Sequence, residues 1–173
     1  MTLRVEIQPY DPAWALRAAE EGERVRDALG AESVEHIGST AVPGLAAKPI
    51  VDFLAGLRSL ELSSERISAM ERLGYEFLGE YGLPGRLYFR KGAPRTFHVH
   101  AVEVGGDHWE RHLAVRDYLR GHPSEAEGYA AEKRRAAEAS GGDWETYCDE
   151  KAAYVEALER RALAWRVGEE GLL

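Results

Sequence analysis

Gly38-Ser39 and Asp52 are the residues whose types and spacing most directly suggest chemistry. A short apolar run, Val34 to Ile37, stops at Gly38-Ser39. A turn-rich stretch with Pro43, Gly44 and Pro49 follows, and a second apolar run, Ile50 to Leu54, carries Asp52. A Gly-Ser turn after a strand offers backbone N–H groups and a hydroxyl that suit a phosphate or another anion. A carboxylate on the next strand suits a divalent cation bridging to that phosphate. No Gly-Lys-Ser/Thr follows Gly38, so the spacing is not that of a P-loop. The structural alternative is a tight turn between two buried strands, with Asp52 as a buried acid.

His98 and His100 form an H-x-H pair on one face of a strand expected over 96–104, with Glu103 on the other face. Such a pair can ligate Zn2+, Fe2+ or Mn2+ if a third ligand approaches. It can also hold a phosphate or act as a base; hydrogen-bonded structural histidines are the alternative. His108 and His112 stand four apart on a helix, but His108-Trp109-Glu110-Arg111-His112 is not H-E-x-x-H, so a metalloprotease site is not indicated. These two are expected at the surface. His36 either orients the Gly-Ser turn or is a satisfied core histidine.

The cations of the second half of the chain fall on inward-facing helical stripes. Tyr147, Lys151, Tyr154, Val155 and Leu158 share one face; Tyr129, Lys133 and Ala137 share another; Leu113, Arg116 and Arg120 line up on a third. An inward cation needs a partner, because burying it alone is costly. That partner is either a protein carboxylate or a ligand phosphate. Arg90, on a strand with Tyr88, Phe89 and Lys91, is placed to join them.

These residues also carry a resemblance. His36-Ile37-Gly38-Ser39-Thr40-Ala41-Val42-Pro43-Gly44-Leu45, followed by Ala47-Lys48-Pro49-Ile50 and Asp52, resembles the signature of the GrpB-like family (glutamate-rich protein B). Tyr10-Asp11-Pro12 with Trp14, Tyr88 to Lys91, His98-Val99-His100, Arg116 to Arg120, Tyr129 with Lys133, and Tyr147 with Lys151 extend it in order, over roughly residues 5 to 160. That family also occurs fused behind dephospho-CoA kinase and is assigned a nucleotidyltransferase-type fold. Sites of that fold use carboxylates on neighbouring strands to hold two metal ions, which clamp the attacking and leaving oxygens. The second acid would stand two residues after the first, and here that position is Leu54.

The 173 residues suit one domain, with ordinary hydrophobic content for a core. No apolar run approaches the ~20 residues of a membrane span. Met1-Thr2-Leu3-Arg4 lacks a signal-peptide core, and the single cysteine, Cys148, excludes an internal disulfide framework. A soluble cytoplasmic protein is expected. A net charge of −8 argues against bulk nucleic-acid binding, though not against a small basic pocket. Much of the acid, including Glu20, Glu21, Glu23, Glu156 and Glu159, reads as solvated helix surface.

Residues 3–8 read as a short strand or extended lead-in. Asp11-Pro12 starts a helix that ends at Gly30. Strands are expected over 34–37, 50–57, 75–78, 87–91 and 96–104, with a short helix from Ser63 or Ser64 to Gly74. Asp107 with Glu110 resembles a capping box for a helix over 108–120; further helices are expected over 124–139 and, capped by Asp143, over 144–166. Strands first and helices last predict an α+β fold: a mixed sheet half (1–106) and a C-terminal helical half (107–167) of one domain, then a loose tail at 168–173.

The expected function is binding of a nucleotide or other phosphorylated small molecule between the halves, with Mg2+-dependent nucleotidyl transfer. Asp52 would hold the metal and His98 or His100 the acceptor. Gly38, Ser39, Lys48, Arg90, Arg116, Arg120, Tyr129, Lys133 and Lys151 would surround the phosphates. The alternatives are a non-catalytic nucleotide or coenzyme A-binding module, and a metal-dependent hydrolase built on His98 and His100.

Overall fold

A computed structural model describes residues 4–171. The elements run α1 (Ala13–Leu29), β1 (Ser33–Ile37), β2 (Val51–Leu57), α2 (Ser64–Arg72), β3 (Tyr75–Phe77), β4 (Arg86–Lys91), β5 (Phe97–Glu103), α3 (Asp107–Gly121), α4 (Pro123–Ala139) and α5 (Trp144–Glu170). The strands form one mixed sheet in the order β1-β2-β5-β4-β3, with β2 and β5 parallel and the other pairs antiparallel.

Period-two alternation gives the sheet two unlike faces. Val51, Phe53, Ala55, Phe89, Val99 and Ala101 form one core with Trp14, Ala18, Val25 and Leu29 of α1 and Met70 of α2. The opposite face carries Ile37, Leu54 and Val102 against Trp109 and Leu113 of α3. The same face carries Asp52 level with His98, and His100 level with Tyr88. α4 and α5 stack behind α3, where Leu119, Ala130, Leu158 and Ala162 pack together. The helical half therefore roofs the sheet face that bears the titratable groups.

Residues 4–8 are extended but make only isolated bridges, Arg4 to Asp143 and Gln8 to Ala47. They tie the turn before α5 to the loop that carries Lys48. α2 is capped by the Ser63 side chain and α5 by that of Asp143, as expected. The capping box at α3 is not formed: Gly106 is the N-cap, Asp107 is already helical, and the Glu110 N–H bonds Gly106 O at 3.0 Å. Nor does a loose tail begin at residue 168. Helix α5 passes through Gly168, which keeps helical backbone, to Glu170, while residues 172–173 lie outside the described residues. Among the described residues, no helix is long and apolar enough to cross a membrane.

Glu21 is not solvated surface. It lies on the sheet-facing stripe of α1, is 2 % exposed, and accepts from Tyr75 Oη at 2.9 Å and Lys91 Nζ at 2.7 Å. Its place at i+3 from Ala18 and i−4 from Val25 explains the burial.

Candidate functional site

A cleft of about 720 Å3 opens between the sheet and the helical roof. The sheet supplies Gly38, Ser39, Asp52, Tyr88, His98 and His100. α3 supplies Arg111, His112 and Arg116, and α4 supplies Tyr129. α5 and its cap supply Asp143, Trp144 and Lys151.

At the floor, Asp52 Oδ1 lies 3.3 Å from His98 Nδ1 and 3.5 Å from His100 Nε2. Parallel pairing of β2 with β5 sets Asp52 level with His98, and the i+2 rule brings His100 to the same face. Burial works against the Asp52 carboxylate, but both imidazoles hold it well below the usual carboxylate range. Burial pushes His98 down, so it is neutral at pH 7. A carboxylate only accepts hydrogen bonds, so His98 carries its proton on Nδ1 and leaves Nε2 as a base. That Nε2 is buried without a hydrogen-bond partner. His100 Nδ1 faces Arg86 Nη1 at 3.4 Å, so Nδ1 accepts and Nε2–H points to Asp52. Asp52 thus orients both imidazoles.

Gly38 adopts φ +74, and a Cβ there would fall 2.9 Å from Asp52 Oδ2. The glycine lets the Gly-Ser turn close against the carboxylate.

A side chamber of about 90 Å3 is lined by Gly38, Ser39, Lys48, Asp52, Tyr129, Lys133, Tyr147 and Lys151. Lys48 Nζ sits 3.9 Å above the Trp144 ring, Lys133 Nζ 4.8 Å above Tyr129, and Lys151 Nζ 4.6 Å above Tyr147. Lys133 is 2 % exposed and donates to Ala46 O. Among the described residues, no carboxylate lies within ion-pair distance of any of the three. Burial and the neighbouring lysines push Lys48 down to about 7 and Lys133 to about 6. Burial opposes the charge on Lys151 as well, but Tyr129, Tyr147 and Asp52 leave it above the ordinary lysine range.

The other expected cations are placed differently. Arg116 lines the cleft, but its charge is matched by Glu35 at 2.8 Å and Asp117 at 2.9 Å. Arg90 shares the site face, yet it turns to Glu76 on edge strand β3 at 2.6 Å and does not line the cleft. Arg120 braces the loop after Ser39 by donating to Ala41 O at 2.9 Å, and it faces a neighbouring groove. His36 points to the other sheet face and bonds Thr40 Oγ1 at 2.8 Å.

The cleft also holds residues beyond those expected from the sequence. His112 is not at the surface; its ring lies 5.5 Å from His100, and burial pushes it down to about 3. Trp144 precedes Tyr147 by three and Lys151 by seven, a stripe that was there to be extended. Tyr88 and Arg86 alternate with Arg90 on β4, so period two also marked them. Tyr81 had no such signal. Its side chain is 59 % exposed, its φ is +48, and its ring stacks on Tyr88 at 5.5 Å.

The donor set bears on the metal. Leu54, where a second acid is wanted, is fully buried in the apolar cluster with Ile37, Val102, Trp109 and Leu113. Asp52, His98 and His100 meet, but with both imidazoles turned to the same Asp52 oxygen, and among the described residues no group of three His, Cys, Asp or Glu is arranged to hold a metal ion. A two-metal arrangement does not fit these residues.

Residues 4–161 match the family model described as GrpB protein. The crystal structure of conserved protein GrpB from Enterococcus faecalis matches with a TM-score of 0.86 and 40% identity, covering 93% of this chain and 99% of that one. The fold is thus the α+β, nucleotidyltransferase-like arrangement. The UPF0157 protein YqkA of Bacillus subtilis is 42% identical over 95% of this chain, which spans 49% of that protein. A protein of Mycolicibacterium paratuberculosis named dephospho-CoA kinase is 29% identical over 93% of this chain and 46% of its own length. The chain thus spans about half the length of these two relatives. With its fold and nearly all of its length matched, this chain belongs to the GrpB family.

Proposed function

We propose that the cleft binds a nucleotide or another phosphorylated small molecule, phosphate end in the lysine chamber. The observation that carries this reading is the convergence of Lys48, Lys133 and Lys151 on the Ser39 turn without a carboxylate partner. Three lysine amines gathered out of water cannot all keep their protons easily, because burial and mutual repulsion oppose the charge; an entering phosphate favours their protonated forms. The remainder of the ligand would lie along the Asp52–His98–His100 floor. A base would stack on Tyr81, whose loop is fixed by Arg86 donating to the Glu80 and Tyr81 carbonyls at 3.1 and 3.3 Å. The relatives named dephospho-CoA kinase add support, since their named substrate carries adenine and phosphates.

If a group is transferred, His98 Nε2 is the base for the acceptor, held in register by Asp52. The second reading, a binding module without turnover, is favoured by Leu54 in the place of an acid. Calorimetric titration with ATP, GTP, coenzyme A and dephospho-CoA tests the common part. Saturable binding of at least one, lost in Lys151→Met, is expected. Failure of all four to bind a folded protein overturns the reading. Release of pyrophosphate or transfer of label to an acceptor separates enzyme from module.

A further inference from the structure

We infer that the lysine chamber itself neutralises the ligand's terminal phosphate, so that the phosphate binds without a divalent cation. This rests on the phosphate-binding reading above and goes beyond it by assigning the metal's role to protein cations.

A metal bridge to phosphate needs carboxylate oxygens with open lone pairs. Asp52 Oδ1 faces two imidazoles, so Oδ2 is the carboxylate oxygen it has left to offer a metal. The neighbouring position that would supply another carboxylate is apolar and buried.

The cations are arranged in the opposite way. Lys48 comes from the loop before β2, Lys133 from α4 and Lys151 from α5, so their meeting is a product of the tertiary fold rather than of local sequence. Each ammonium lies over an aromatic ring, which holds its stem without neutralising its charge. The chamber volume of about 90 Å3 exceeds the roughly 10–15 Å3 that one water occupies by a comparable measure. It admits a phosphoryl group but not a nucleoside. A doubly charged phosphate meeting several ammonium donors has its charge compensated in place, as a metal would otherwise do.

The test is calorimetric titration of sodium pyrophosphate into the full chain, with excess EDTA and again with excess MgCl2. Binding in EDTA is expected to be as tight as with Mg2+ or tighter. Lys151→Met should weaken it about tenfold or more, the loss of one hydrogen bond to a charged group. Lys151→Arg should recover part of that loss, and thermal melts should show both variants folded. Asp52→Asn should bind pyrophosphate about two- to threefold more tightly, because a nearby negative charge is removed. Pyrophosphate binding that appears only with Mg2+, and that disappears in Asp52→Asn, overturns this inference and leaves the phosphate-binding reading standing. Absence of binding in both buffers, with ATP and coenzyme A equally without effect, overturns the reading on which it rests.

Discussion

The backbone of Gly38 rests against the carboxylate of Asp52, so closely that a β-carbon on residue 38 would fall 2.9 Å from Oδ2. Two constraints meet there: the left-handed φ of +74, which favours glycine, and the approach of the turn to the site acid. Gly38→Ala must shift both. It is expected to cost roughly 1–3 kcal/mol of stability and to displace Ser39 from the chamber. Chemical denaturation and nucleotide titration check the two effects. Wild-type stability with wild-type affinity would show that the turn has slack.

Asp52→Asn addresses the floor of the cleft. Its carboxylate is held below the ordinary range, so it contributes stability at neutral pH, and that contribution is lost as pH falls through the folded-state value. In the Asn variant this part of the acid sensitivity should disappear. The imidazole of His98 should also become less basic, which NMR titration reads directly. If the protein turns over a substrate, the rate should fall about 100-fold or more, since the base loses its orienting partner.

Glu21 makes a separate prediction, far from the cleft. Burial works against its charge, but Lys91, Tyr75 and Arg24 bring its carboxyl below the usual value. The sign follows: stability is present above the ordinary glutamate pKa and is lost as pH falls through the folded value. Glu21→Ala leaves the Tyr75 hydroxyl and the partly exposed Lys91 without their acceptor. A loss of about 2–3 kcal/mol is expected, with no change in ligand affinity beyond what stability explains.

Tyr81 separates the base end of the ligand from its phosphate end. Tyr81→Ala should weaken a nucleotide by roughly 1–3 kcal/mol, the range for a base stacked on an aromatic ring, while Tyr81→Phe keeps most of the affinity. Pyrophosphate should not distinguish the three proteins. Equal losses for nucleotide and pyrophosphate would mean that the loop shapes the chamber instead of holding a base.

How much of this was legible follows from where each signal resides. Period-two alternation placed Asp52, His98 and His100 on one face, and helical stripes placed Lys133 and Lys151 inward. Such signals are local and survive folding. The fate of Arg90 depended on Glu76 of the edge strand, and that of Arg120 on a loop carbonyl 79 residues away, which no local pattern records. His112 faces the cleft only because α3 docks across the sheet. Glu21 shares a stripe with Ala18 and Val25, a local pattern that marks it as inward, while the partners that make its burial possible, Tyr75 and Lys91, lie far along the chain.

Lys133 offers the test in which stability and function should move in opposite directions. The residue is 2 % exposed and its amine has Lys48, Lys151 and Arg134 as cationic neighbours, with Ala46 O as acceptor and the Tyr129 ring beneath. Burial first, and these cations next, push it down to about 6, against an ordinary lysine value of 10.5. The unfolded chain therefore binds a proton that the folded empty site does not keep at neutral pH. By linkage, stability should rise with pH between the folded value near 6 and the unfolded value near 10.5. Lys133→Met removes that slope and replaces a buried amine by an apolar chain of similar length. Loss of the bond to Ala46 O costs about 1 kcal/mol, so the net expectation at pH 7 is stabilisation by roughly 1–3 kcal/mol. The same variant should bind pyrophosphate at least about tenfold more weakly. Urea melts across pH, paired with calorimetry, measure both. A less stable variant with unchanged affinity would make Lys133 a structural donor to Ala46 and remove it from the phosphate site.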